Sequence, residues 1–144
     1  MIMGFFKKRS LRKRLDKLYT AISETLDVIE SSLIERVFLD DEIDRDRLRA
    51  ISVAGVLFAC SSMRELYGND ELIGKSLFFA CLKFAPLEME DLSIDLSIEL
   101  NHPSKDMNPG FWPSNSYSEG QLEHVYMTLV DMSPLIGKYI ISHL

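Results

Sequence analysis

Apolar residues recur at three- and four-residue steps along the first quarter of the chain. Leu11, Leu15, Leu18, Ile22, Leu26, Ile29, Leu33 and Val37 form one stripe, with Lys17, Glu24, Asp27, Glu30 and Glu35 between them. That spacing predicts one long amphipathic helix over 11–38. The run FLDDEIDRD (38–46) interrupts it, and Asp40 or Asp41 is a candidate cap for a second helix. This second helix is expected from about Ile43 to Tyr67. Its middle, ISVAGVLFACSSM, has almost no polar face, which places it centrally in the fold. Gly55 in mid-helix costs about 1 kcal/mol against Ala, so close approach of a neighbouring helix is the expected reason for it. Gly68 and Asn69 mark a tight turn into a third helix reaching about Phe84, and helices two and three should form an antiparallel hairpin.

The stretch DLSIDLSIEL (91–100) is ambiguous. Strict alternation of apolar and polar residues fits a half-buried strand, while its four-residue repeat fits a helix. The flanks favour helix. Pro86 and the acids Glu88, Glu90 and Asp91 resemble a helix start, and Asn101-His102-Pro103 a stop. A helix here would carry Met89, Leu92, Leu96 and Leu100 as one stripe and Leu87, Ile94 and Ile98 as another almost opposite, with Asp91, Asp95 and Glu99 aligned between. A strand would need a partner strand, and the chain offers no equally strong one. Residues 101–118 form a long loop with three of the five prolines. Phe111, Trp112 and Tyr117 are positioned to pin it to the body. Two overlapping capping boxes, Ser116–Glu119 and Ser118–Gln121, start a helix that reaches about Met132. Ser133-Pro134 then reads as the cap and first residue of a last helix.

The fold expected is therefore all-α: a single-domain bundle of five to six helices, with one short strand at about 92–100 as the variant. The 144 residues suit one domain, and 47% apolar content excludes disorder by composition. Only 7 glycines and 5 prolines argue against an all-β fold with many tight turns.

Charge changes the picture. Residues 1–17 carry seven basic groups against Asp16, a net +6; with −6 for the whole chain, residues 18–144 hold −12. The reading is a basic N-terminal arm (1–17) on an acidic helical domain (18–144). An acidic body repels a phosphate backbone, which argues against nucleic acid as partner. Cys60 and Cys81 lie in apolar runs and read as buried free thiols in a reducing cytosol. The apolar MIMGFF precedes the charges, the wrong order for a secretory signal, and no run is long enough to cross a membrane.

No catalytic constellation can be assembled. His102, His124 and His143 are scattered, no HExxH or CxxC occurs, and Gln121 stands where a Glu-x-x-His metal pair with His124 would need an acid. No phosphate-cradling glycine loop or nucleophile elbow is present. The expectation is a protein without enzymatic activity, metal or cofactor.

Two surfaces carry candidate function. Asp40, Asp41, Glu42, Asp44 and Asp46 form one acidic cluster, partly neutralised by Arg45, Arg47 and Arg49. Glu88, Glu90, Asp91, Asp95 and Glu99 form a second, unrelieved one, interleaved with apolar residues and suited to a basic protein partner. Protein inhibitors of basic enzymes, immunity proteins among them, are often small and acidic, an analogy of class and not of motif. The alternative is a peripheral membrane adaptor. Phe5 and Phe6 would enter the bilayer edge while Lys7, Lys8, Arg9, Arg12, Lys13 and Arg14 meet anionic lipid. The arm can also lie on the acidic surface of its own or a neighbouring chain, and a strand at 92–100 would call for symmetric pairing, so a homodimer is a further expectation. The location expected is cytoplasmic, or peripheral at the inner face of a membrane.

Overall fold

The computed structural model describes residues 2–39, 44–62, 71–101 and 119–143. Among the described residues the regular structure is all helical, without strands: α1 (Ile2–Leu33), a π-helical turn (Ile34–Phe38), α2 (Arg45–Ser62), α3 (Glu71–Leu82), α4 (Glu90–Asn101) and α5 (Glu119–Ile141).

The predicted stripe of α1 is its core face. Leu18, Ile22, Leu26, Ile29, Leu33 and Val37 are buried and Leu15 packs on them. The helix then widens by one residue. Leu39 N–H donates to Ile34 O at 2.7 Å, closing the π-helical turn. The extra residue keeps both Val37 and Phe38 inside.

Helix α2 is the hub. Every residue from Ala50 to Cys60 is buried, and α1, α3, α4 and α5 all pack against it. Gly55 permits the closest approach: a Cβ placed there would stand 2.7 Å from Leu129 Cδ2 on α5 and 3.8 Å from Ile29 Cδ1 on α1. The cap of α2 is Asp44 rather than Asp40 or Asp41, which lie outside the described residues along with Glu42. Asp44 Oδ1 accepts from Asp46 N–H at 3.1 Å, and its carbonyl accepts from Leu48 N–H at 3.0 Å. The turn expected at Gly68-Asn69 also lies outside the described residues. Cys60 and Cys81 are buried and free. Each is the other's neighbour across α2 and α3, and their hydrogen bond, with burial, pushes the Cys81 thiol pKa up.

Residues 91–100 are helical, which settles the strand variant. The helix starts later than the flanks suggest. Pro86 is not its first residue: Met89 N–H donates to Pro86 O at 3.0 Å, making a turn in which Glu88 holds a left-handed φ of 69°. Of the two expected apolar stripes, Met89, Leu92, Leu96 and Leu100 do face inward, while the stripe of Leu87, Ile94 and Ile98 is corrected. Four residues advance a helix by about 400°, so each DLSI repeat rotates about 40° past the last. The buried face is consequently Ser93, Leu96, Ser97 and Leu100. The serines, not the isoleucines, oppose the acids. Ser93 Oγ–H donates to Ala50 O of α2 at 2.8 Å, and a small side chain there lets the two helices pack closely. Leu92 and Ile94 are half-buried, while Ile98 has rotated outward.

Ser133-Pro134 does not begin a new helix, since α5 runs through it to Ile141. Pro134 has no N–H to donate to Val130 O, four residues back. The buried Ser133 hydroxyl donates to that carbonyl instead, at 2.8 Å. The helix therefore survives its proline.

Candidate interaction surfaces

The outward edge of α4 begins in the turn before it. Phe84 N–H donates to Cys81 O at 3.1 Å and Ala85 N–H to Leu82 O at 3.0 Å, ending α3. Lys83 Nζ then donates to the Tyr19 hydroxyl at 2.9 Å, and Phe84 lies 6.2 Å from the Tyr19 ring, so the turn is tied to α1. This presents Leu87, 86% exposed, and Glu88 at the surface. Asp91 and Asp95 continue the edge, one turn apart and both exposed, and Ile98 closes it at 55% exposure. Of the five acids expected at one surface, Glu88, Asp91 and Asp95 are fully presented, while Glu90 and Glu99 are half-buried flanks. Glu90 and Asp91 also stand in the first turn of α4, where they favour the helix dipole. Helix α4 itself carries no basic residue.

Of the other acidic cluster, Asp44 and Asp46 are described and both are exposed, while Asp40, Asp41 and Glu42 lie outside the described residues. Arg49 reaches toward α1. Its Nε lies 2.6 Å from Glu30 Oε1, and its Nη2 lies 3.5 Å from Asp27 Oδ1. Arg49 Nη2 also donates to Glu30 Oε2 at 3.4 Å, while Oε1, close to Nε, accepts no aligned hydrogen bond. Burial raises the Glu30 pKa and outweighs the opposing pull of Arg49. These side chains line a polar cleft of about 680 Å³ between α1 and α2, which also includes Arg45 and Asp46.

A third surface escaped the sequence reading. Between α1 and α5 runs an apolar groove of about 360 Å³, formed by Glu24, Thr25 and Val28 on one side and Met132, Leu135, Ile136 and Tyr139 on the other. Val28 is 56% and Leu135 77% exposed. At one end the Tyr139 hydroxyl donates to Glu24 Oε2 at 2.6 Å. That bond to a carboxylate raises the Tyr139 pKa. The available signal was Val28, an apolar residue standing off the α1 stripe.

The residues of the proposed arm lie on α1, which is helical from Ile2 onward. Lys13 is exposed; the side chains of Phe5, Phe6, Lys7, Lys8, Arg9, Arg12 and Arg14 lie outside the described residues. Of the expected 101–118 loop, Asn101 ends α4, and residues 102–118, with Phe111, Trp112 and Tyr117, lie outside the described residues. His124 is exposed on α5 and borders neither groove. His143 Nδ1 lies 2.7 Å from Tyr139 O. Among the described residues, no three His, Cys, Asp or Glu side chains gather as they would around a metal ion, and no helix is long and apolar enough to cross a membrane. The chain matches no protein-family model, and neither the curated proteins nor the solved structures include one significantly similar to it.

Proposed function

We propose that this protein is a non-enzymatic binding module that captures a basic protein partner on the outward edge of α4, in the manner of an inhibitor or immunity-type protein in the cytoplasm. One observation carries the reading: three exposed acids, Glu88, Asp91 and Asp95, stand between two exposed apolar side chains, Leu87 and Ile98. Acids steer a basic partner and reject acidic ones, while the apolar ends supply area removed from water. Solvated charge alone does not account for Leu87 and Ile98. The buried Ser93–Ala50 contact holds α4 on α2, so the edge is presented on a rigid element.

The test is affinity capture from the source cells with immobilised wild type and with Asp91→Lys/Asp95→Lys, the retained proteins being identified by mass spectrometry. The reading expects one basic protein held by wild type and released by the double variant. Equal retention by both would remove α4 as the site. The membrane-adaptor reading places binding in residues 1–17, and flotation with anionic vesicles reports on it separately: it requires that Lys7→Glu/Lys8→Glu/Arg9→Glu abolish flotation.

A further inference from the structure

The α1/α5 groove is apolar, open and separate from α4, with α2 as the neighbour they share. We propose that it receives the basic N-terminal segment, residues 2–17, of a second copy of this chain. Three observations lead there. The groove displays Val28 and Leu135, Glu24 lines its wall, and Asp131 stands exposed on α5 one turn before Leu135. Lys138 is the basic residue nearby on α5.

The segment that complements this surface is in the same sequence. Residues 2–17 combine Ile2, Met3, Phe5 and Phe6 with seven basic groups, while the rest of the chain holds −12. An apolar tip followed by positive charge fits an apolar groove with an acid in its wall on a negative body.

The geometry requires that the occupant come from another copy. Residues 2–17 and the groove residues Glu24, Thr25 and Val28 belong to one continuous helix. Sixteen helical residues extend about 24 Å, directed away from the groove along the same axis. A helix cannot turn back on its own later residues without breaking, so the segment reaches a groove only on a neighbour. Two copies related by a two-fold axis satisfy both grooves at once.

The test uses full-length chains in sedimentation equilibrium. One variant spoils the groove, Val28→Asp/Leu135→Asp, at positions exposed enough to leave the core intact. The other spoils the segment, Lys7→Glu/Lys8→Glu/Arg9→Glu. Circular dichroism establishes that each keeps the wild-type helix content, and Leu135→Ser replaces the groove variant if it does not. Wild type should self-associate, and each variant alone should do so at least roughly tenfold more weakly, a change of about 1.4 kcal/mol. Mixing the two variants should restore a heterodimer, because one supplies an intact segment and the other an intact groove. Raising salt to about 0.5 M should weaken the wild-type association. Self-association of the segment variant at wild-type strength, a mixture that stays monomeric, or a wild type that is monomeric at about 100 µM would overturn the proposal.

Discussion

Gly55 offers a quantitative test of how the core is packed. The methyl that Gly55→Ala introduces would lie 2.7 Å from Leu129 Cδ2, whereas carbon atoms settle at about 3.5–4.0 Å. Leu129 must therefore move by about 1 Å, and at 1% exposure it has little room to do so. Overpacking of this kind costs about 1–3 kcal/mol. Against it stands a helix-propensity gain of about 1 kcal/mol for replacing a mid-helix glycine. Gly55→Ala should thus be destabilising by up to about 2 kcal/mol in the wild-type background. Leu129→Ala alone should cost about 2–5 kcal/mol through lost burial and the cavity left behind. In that second background the new methyl at position 55 keeps only an ordinary contact with Ile29 Cδ1 at 3.8 Å, and Gly55→Ala should become stabilising by about 1 kcal/mol. Urea unfolding of the four proteins measures the coupling, expected at about 1–3 kcal/mol. If Gly55→Ala has the same effect in both backgrounds, the α2–α5 contact is not what requires glycine.

Three further outcomes follow from local geometry. Glu88→Gly should raise stability by about 1 kcal/mol by removing a side chain from left-handed backbone, with Glu88→Ala giving no such gain; equal effects in chemical denaturation would refute the strain. Ser133→Ala should cost about 1–3 kcal/mol, because it strips the carbonyl that Pro134 leaves unbonded of its donor; a thermal midpoint unchanged from wild type would refute the compensating role. Glu30 provides a pH test. Its folded-state pKa lies above the ordinary 4.5, so just above that pH the folded protein holds a proton the unfolded chain has released. Stability must fall as pH rises through that window. Glu30→Gln should flatten this part of the Tm profile, and an unaltered slope would place the titration elsewhere.

Much of the fold is legible in the sequence where one periodicity dominates. The α1 stripe needs only the helical period, and α2 announces its central place by lacking a polar face. What the sequence conceals depends on partners. DLSIDLSIEL carries a strand's alternation, and its apolar letters suggest two buried stripes. Yet the drift of a four-residue repeat, about 40° each time, lets α4 bury Ser93 and Ser97, with Ser93 bonded to Ala50 of α2. Serine is an ambiguous letter until the carbonyl it bonds is known. Ser133-Pro134 misleads for the same reason: it matches a helix start, but its hydroxyl repairs a helix interior. The acids of α4 are legible as a group, but which of them face outward is not. The α1/α5 groove exists only once two helices distant in sequence are set side by side.

The most direct test of the account is a calorimetric titration of the purified partner identified by capture. It compares wild type, Asp91→Lys/Asp95→Lys, and a control with the same charge change at the exposed Glu35 and Glu123. Net charge is equal in the two variants, so a difference between them reports on place rather than on total field. The account predicts that reversal on α4 weakens binding by at least roughly a hundredfold, about 2.7 kcal/mol, while the control stays within a few-fold of wild type. Equal losses in both variants, or none in the α4 variant, would contradict it.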